Sequence, residues 1–142
     1  MPQSYKTMAA VLALFMPACA ASDDQGGAGM NGAVDPSASF EASVLPLINA
    51  ACNCHQTEPF LMAPFSLKPA EAYDNLVDHP SSQLTTMAFV KPGSLNESYL
   101  WHKVSGTHLE VGGQGMIMPY TVPLTDAELD VFERWIAAGA PR

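Results

Sequence analysis

Two thiols and an imidazole crowd into four residues of this chain, within the run Ala51-Cys52-Asn53-Cys54-His55-Gln56. Such a cluster, just past an apolar helical stretch, signals metal or haem binding. In a c-type haem site Cys thiols bond covalently to the vinyl groups and the neighbouring His ligates the iron. Attachment and axial ligation then come from one turn of chain, provided the His directly follows the second Cys, as His55 follows Cys54. Two other readings stand beside this one. Cys52, Cys54 and His55 are soft or borderline donors suited to copper or zinc, and Met116 or Met118 would add a thioether for Cu(I). His108 and Glu110 precede a glycine loop and could approach such a metal. Alternatively Cys52 and Cys54 close a strained disulfide, which the small ring disfavours, and the domain is an interaction module.

The elements that must position these groups read as short helices. Phe40, Val44, Leu47 and Ile48 recur at helical spacing. Pro46 falls inside that stretch, either kinking the helix or marking the first turn of a shorter one. A second helix is expected from Pro69 through Tyr73, Leu76 and Val77. Ser94-Leu95-Asn96-Glu97 has the pattern of a capping box and predicts a third helix through Tyr99, Leu100, Trp101 and Val104. Thr125-Asp126-Ala127-Glu128 is a second such box, with Leu124 and Leu129 placed for a hydrophobic staple. Leu129, Phe132, Trp135 and Ile136 form the buried stripe of that last helix, and Gly139 ends it. Gly112 to Pro123 is irregular, with glycines at 112, 113 and 115 and methionines at 116 and 118. The pattern is all-α, with short helices and long loops. Such loops are unusual in a domain of roughly a hundred residues, and a cofactor would organise them. Trp101 and Trp135 read as core residues, Met62 and Met87 as packing residues, His79 as part of a turn, and His102 as a surface or packed residue.

The series Phe40…Val44-x-Pro46-Leu47-Ile48, Cys54-His55, Lys91-Pro92-Gly93-Ser94…Ser98-Tyr99-Leu100…Lys103, Met118-Pro119, Pro123-Leu124-Thr125…Glu128-Leu129…Trp135-Ile136-Ala137-Ala138-Gly139-Ala140 spans residues 39 to 142. It resembles the small cytochrome-c-like domains abundant in planctomycetes and myxobacteria. The resemblance implies a cytochrome-c-like all-α fold, haem c as cofactor, His55 as one axial ligand and Met118, of the Met-Pro pair, as the other. Met116 is the fallback ligand. A Met/His pair raises the haem potential and closes the iron to substrates, which suits electron transfer. The chain departs from the family at one point. The usual Cys-x-x-Cys-His is here Cys52-x-Cys54-His55. Because the two vinyls sit on a rigid macrocycle, losing one residue alters the reach and direction of the first thiol. Attachment by a single thioether through Cys54 is therefore expected, with Cys52 unable to bond without distortion.

The remaining sequence bounds location and partners. Lys6 followed by apolar Met8 to Met16 reads as an export signal, and this stretch is too short to span a bilayer as a helix. Met16-Pro17-Ala18-Cys19 resembles a lipobox, while Ala18-Cys19-Ala20 also suits ordinary signal peptidase. Cys19 favours lipidation, because a lipoprotein needs that thiol and a plain secreted protein does not. The expected organisation is a signal peptide over 1–18, a flexible Ser-, Asp-, Gly- and Ala-rich linker over 19–38, and one domain over 39–142. The product would be exported to the periplasm or outer envelope and held to the membrane by lipid. The chain carries six Lys and Arg, none adjacent, and a net charge of -8, so nucleic acid is not expected as a partner. A redox partner is expected but not identified. No Ser-His-Asp set and no phosphate-cradling glycine loop before a helix occurs, so a carrier is expected rather than an enzyme.

Overall fold

The computed structural model describes residues 39–57 and 65–142. The expected signal segment, Cys19, the linker and Met62 lie outside the described residues. Among the described residues four α-helices run in chain order: α1 (Leu45–Ala51), α2 (Ala72–Leu76), α3 (Tyr99–Ser105) and α4 (Asp126–Ala137). Among the described residues there are isolated β-bridges but no strand elements, so the architecture is all-α as expected. No helix of the described residues is long and apolar enough to cross a membrane.

The sequence left two possibilities for Pro46, and the structure selects the second. Phe40–Val44 forms a π-helical turn, capped where the Ser39 hydroxyl accepts from the Ala42 N–H at 3.2 Å. Pro46 then sits in the first turn of α1, where a missing N–H costs nothing. The wider π turn carries the apolar stripe onward, and Phe40, Val44 and Ile48 are all buried. The second helix starts later than Pro69. Residues 68–71 form a turn in which the Lys68 carbonyl accepts from both Glu71 and Ala72 N–H groups, and Val77 is already extended.

The expected capping box at Ser94 is corrected. The third helix begins at Tyr99, and its N-cap, Ser98, makes no side-chain capping bond. The Ser98 hydroxyl is fully buried and tied instead to the preceding turn. It donates to the Ser94 carbonyl at 2.6 Å and accepts from the Lys91 N–H at 2.9 Å. Tertiary contacts thus claim residues that local pattern assigned to a cap. The box at Thr125 does form: the Glu128 carboxylate accepts from the Thr125 N–H at 2.8 Å, and Thr125 Oγ1 accepts from the Glu128 N–H. Beyond α4 the chain turns at Gly139, whose φ of +92° is a left-handed backbone that glycine adopts without strain.

One apolar cluster holds these elements together. Phe40 meets Tyr73 edge-on at 5.3 Å and Trp135 at 5.6 Å between ring centroids. Phe132, Trp135 and Ile136 supply the inner face of α4, and Tyr99 and Val104 that of α3. Trp135 is fully buried, whereas Trp101 is half-buried against the cluster's edge. Pro141 fastens the two ends of the domain, its carbonyl accepting from the Phe40 N–H and from the Trp135 indole N–H, both at 2.9 Å. Between α2 and α3 the chain doubles back, and Ala88 to Val90 pair with the exit of α2 and the start of α3. There the Val90 N–H donates to Leu76 and the Tyr99 N–H to Ala88.

Candidate functional site

Cys52, Cys54 and His55 lie immediately after α1. The Cys52 N–H ends that helix on the Ile48 carbonyl at 2.8 Å, and Asn53–His55 then form a 3-10 turn. The end of α1, anchored by buried Ile48, thereby sets the position of all three side chains. The Cys52 thiol packs against the core, and its burial, with the neighbouring Cys54, pushes its pKa up to about 11. Cys54 is exposed, with its thiol donating to Asn53 Oδ1 at 3.6 Å. The two thiols are both free rather than joined.

His55 is held by its backbone and by stacking. Its carbonyl accepts from the Leu67 N–H at 2.9 Å. Its ring lies over Phe65, 5.1 Å between centroids and 26° from parallel, and Phe65 in turn packs on Phe89. Burial lowers the imidazole pKa, which favours the neutral ring, the form with a lone pair to offer a metal. Among the described residues Nδ1 is buried without a hydrogen-bond partner. An orphaned polar atom of this kind is uncommon in a finished interior.

Met118 arrives from the other side of the domain, on the irregular segment after α3. Its N–H donates to the Lys103 carbonyl at 2.9 Å, and its peptide bond to Pro119 is cis. Cys52, Cys54, His55 and Met118 all line a single cleft of about 610 Å³. Its remaining walls are largely apolar, including Ala50, Ala51, Val122 and Leu124, with Glu128 at the edge. A second, inner cavity of about 80 Å³ continues past the same place and shares Cys52, His55 and Met118 with the first. The structure therefore brings together four residues that the sequence singled out from two segments more than sixty positions apart.

Other candidates lie elsewhere. Met116 is 57% exposed and lines neither cavity. Glu110 is exposed, and His108 is buried with Nε2 bonded to the Gly115 carbonyl at 3.0 Å. His102 is a packed residue, with its ring nitrogens on Thr107 Oγ1 and the Asn96 carbonyl. His79 is exposed beside Pro80, and Met87 packs on the core. Among the described residues no group of three or more His, Cys, Asp or Glu side chains is gathered to hold a metal ion.

One residue escaped notice as a site element. Lys103 is buried in α3, and its ammonium donates to the carbonyls of Gln114 at 2.8 Å and Met116 at 2.7 Å. Burial lowers its pKa. Its signal in the sequence was its spacing of four from Tyr99, which puts a lysine on the apolar face of α3.

The donor set and the cleft fit a haem. A neutral imidazole and a thioether are the donor pair that holds haem iron in cytochromes c. The cleft volume lies within the range of ligand-binding pockets, roughly 300–1,000 Å³. Two thiols stand on its wall. No protein-family model, no curated protein and no solved structure matches this chain.

Proposed function

We propose that the chain is a haem-binding electron carrier of the cell envelope, with a cytochrome-c-like domain and a lipid anchor at Cys19. The observation that carries this reading is the shared cleft: His55 and Met118 line the same two cavities, with the Cys-x-Cys-His turn on one wall. Haem bound there would supply a one-electron couple. His55 and Met118 are the residues that would hold it, and a Met/His ligand pair would favour the reduced state, which suits electron transfer.

The residues of the chain do the rest. The stack of His55 on Phe65, itself packed on Phe89, fixes the imidazole before any ligand arrives, so little reorganisation accompanies binding. Apolar walls keep water back and lower the local dielectric, which favours the less charged, reduced form of a haem held there. For attachment, Cys54 is the accessible thiol, whereas the raised pKa of Cys52 makes that sulfur a poor nucleophile. A single thioether through Cys54 follows. Exposed Tyr120 and Val122 border the cleft and would bring a redox partner close to it.

The test is a pyridine haemochrome spectrum on protein expressed with its own leader in a host with haem-attachment machinery. Haem that resists acid-acetone extraction, with an alpha band at the single-thioether position, supports the proposal. Folded protein without haem would refute it and turn attention to copper or zinc at Cys52, Cys54 and His55.

A further inference from the structure

We propose that Lys103 is the positioning residue for Met118: its ammonium and its carbonyl together shape the loop that offers the methionine to the cleft. This inference rests on the reading of Met118 as a ligand for its functional meaning, and on the hydrogen bonds of Lys103 for its structural one. Three bonds from one residue grip a stretch of five. The ammonium donates to the Gln114 and Met116 carbonyls, and the backbone carbonyl two atoms from the same Cα accepts from the Met118 N–H. The loop would otherwise have little to hold it. It contains no helix or strand, Gln114, Gly115 and Met116 are exposed, and Met116 leaves its side chain in solvent.

The same grip has supports on each side. His108 Nε2 donates to the Gly115 carbonyl, the one carbonyl that lies between the two Lys103 takes. The Tyr99 hydroxyl, donating to Gln83 Oε1 at 2.7 Å, accepts from the Gln114 N–H at 3.4 Å. Three successive carbonyls thus face two buried cationic or imidazole side chains. The fully anchored α3 supplies both Tyr99 and Lys103, so the loop inherits the rigidity of the core. A buried lysine that pairs with carbonyls rather than a carboxylate is uncommon, since burying a charge is costly without strong hydrogen bonds. Its cost is accounted for here by the order it imposes on Met118. Lys103 also lines the inner cavity beside Met118, so the grip and the ligand meet at one wall.

The experiment has two arms. Hydrogen exchange is measured on the unloaded full chain for wild type, Lys103→Met and Lys103→Gln. Loss of even one charge-assisted bond is enough to speed local opening about tenfold, so the hydrogen-bonded amides of this stretch, Gln114 and Met118, should exchange about tenfold faster or more in Lys103→Met. The amides of α4 should stay as they were. If Lys103→Met does not fold, Lys103→Gln, too short to reach both carbonyls, decides in the same way. Unchanged exchange at Gln114 and Met118 in a folded variant would overturn the proposal. In the haem-loaded protein, the weak far-red band that marks methionine sulfur on ferric iron should be lost from the variant while haem content persists. Retention of that band with haem present would also overturn it. A wild type that takes up no haem sinks the proposed function instead, and the exchange arm then judges Lys103 alone.

Discussion

Gly113→Ala is the substitution whose effect can be worked most directly from the structure. A Cβ at this position would lie 2.5 Å from the Tyr99 hydroxyl oxygen, 2.7 Å from Tyr99 Cε2 and 2.7 Å from the His108 carbonyl oxygen. Ordinary contact begins near 3.4 Å, so something must retreat by close to an ångström. Neither neighbour can do so freely. Tyr99 is 1% exposed and hydrogen-bonded to Gln83, and the His108 carbonyl already accepts from the Gly113 N–H at 2.8 Å. Gly113 does not have a positive φ, so its requirement is for close approach and not for a left-handed backbone. Forcing a methyl group into such a site costs about 1–3 kcal/mol, or a drop in Tm of roughly 5–20 °C for a domain of this size. Urea denaturation followed by circular dichroism measures it. Because the loop that yields feeds Met118 into the cleft, the loaded variant should also show weaker methionine ligation. A Gly113→Ala protein within about 0.5 kcal/mol of wild type would refute the packing of this loop on Tyr99.

Three further outcomes are expected. Haem should extract freely into acid-acetone from Cys54→Ser and remain bound in Cys52→Ser; the reverse pattern, read by mass spectrometry of the haem peptide, would move the thioether to Cys52. The Thr125 N–H and hydroxyl hold the Glu128 carboxyl below its ordinary pKa, so its contribution to stability is complete above about pH 4.3, the unfolded value, and is lost as pH falls through the folded pKa. The gap in urea midpoint between wild type and Glu128→Gln should therefore be present at neutral pH and close in strong acid, and a gap that ignores pH would contradict the capping box. Trp135→Phe removes the indole donor to Pro141 and shrinks a fully buried ring, which should cost about 1–3 kcal/mol in the same denaturation assay; no measurable loss would mean that Pro141 fastens nothing.

The helices were largely legible because their apolar spacing is local. The stripe of α4, its capping box and its glycine end are all written within fifteen residues, and each appears in the structure. The same pattern misled at Ser94, where Ser98 and Lys91 use the available groups in a turn. Nothing within four residues distinguishes the two cases; the difference lies in the Gly93 N–H, which donates to the Ile136 carbonyl of α4 at 2.8 Å and draws the turn against a distant helix. The candidate Cys52, Cys54 and His55 were legible by chemistry, as thiols beside a histidine, whereas the pairing of His55 with Met118 came from the family resemblance. Their joint lining of one cleft was not legible, because it depends on how α1 and α3 deliver them. Lys103 and His108 show the limit most clearly. As letters they are a lysine four residues past Tyr99 and a candidate metal ligand, yet both spend their donors on loop carbonyls.

The Pro141 carbonyl has a mechanical consequence. It joins the first turn of the domain to its last helix, and Arg142 adds ion pairs to Glu41 at 3.1 Å and Asp74 at 3.5 Å. The described domain is in effect a ring closed by a clasp. The first and last described residues lie side by side, so a force pulling them apart falls first on the clasp and not on the cleft. Joining those two ends with a few residues, and opening the chain at another surface turn, should leave the core as it is. Trimming the final two residues should do the opposite, freeing Phe40 and the indole of Trp135 in one cut.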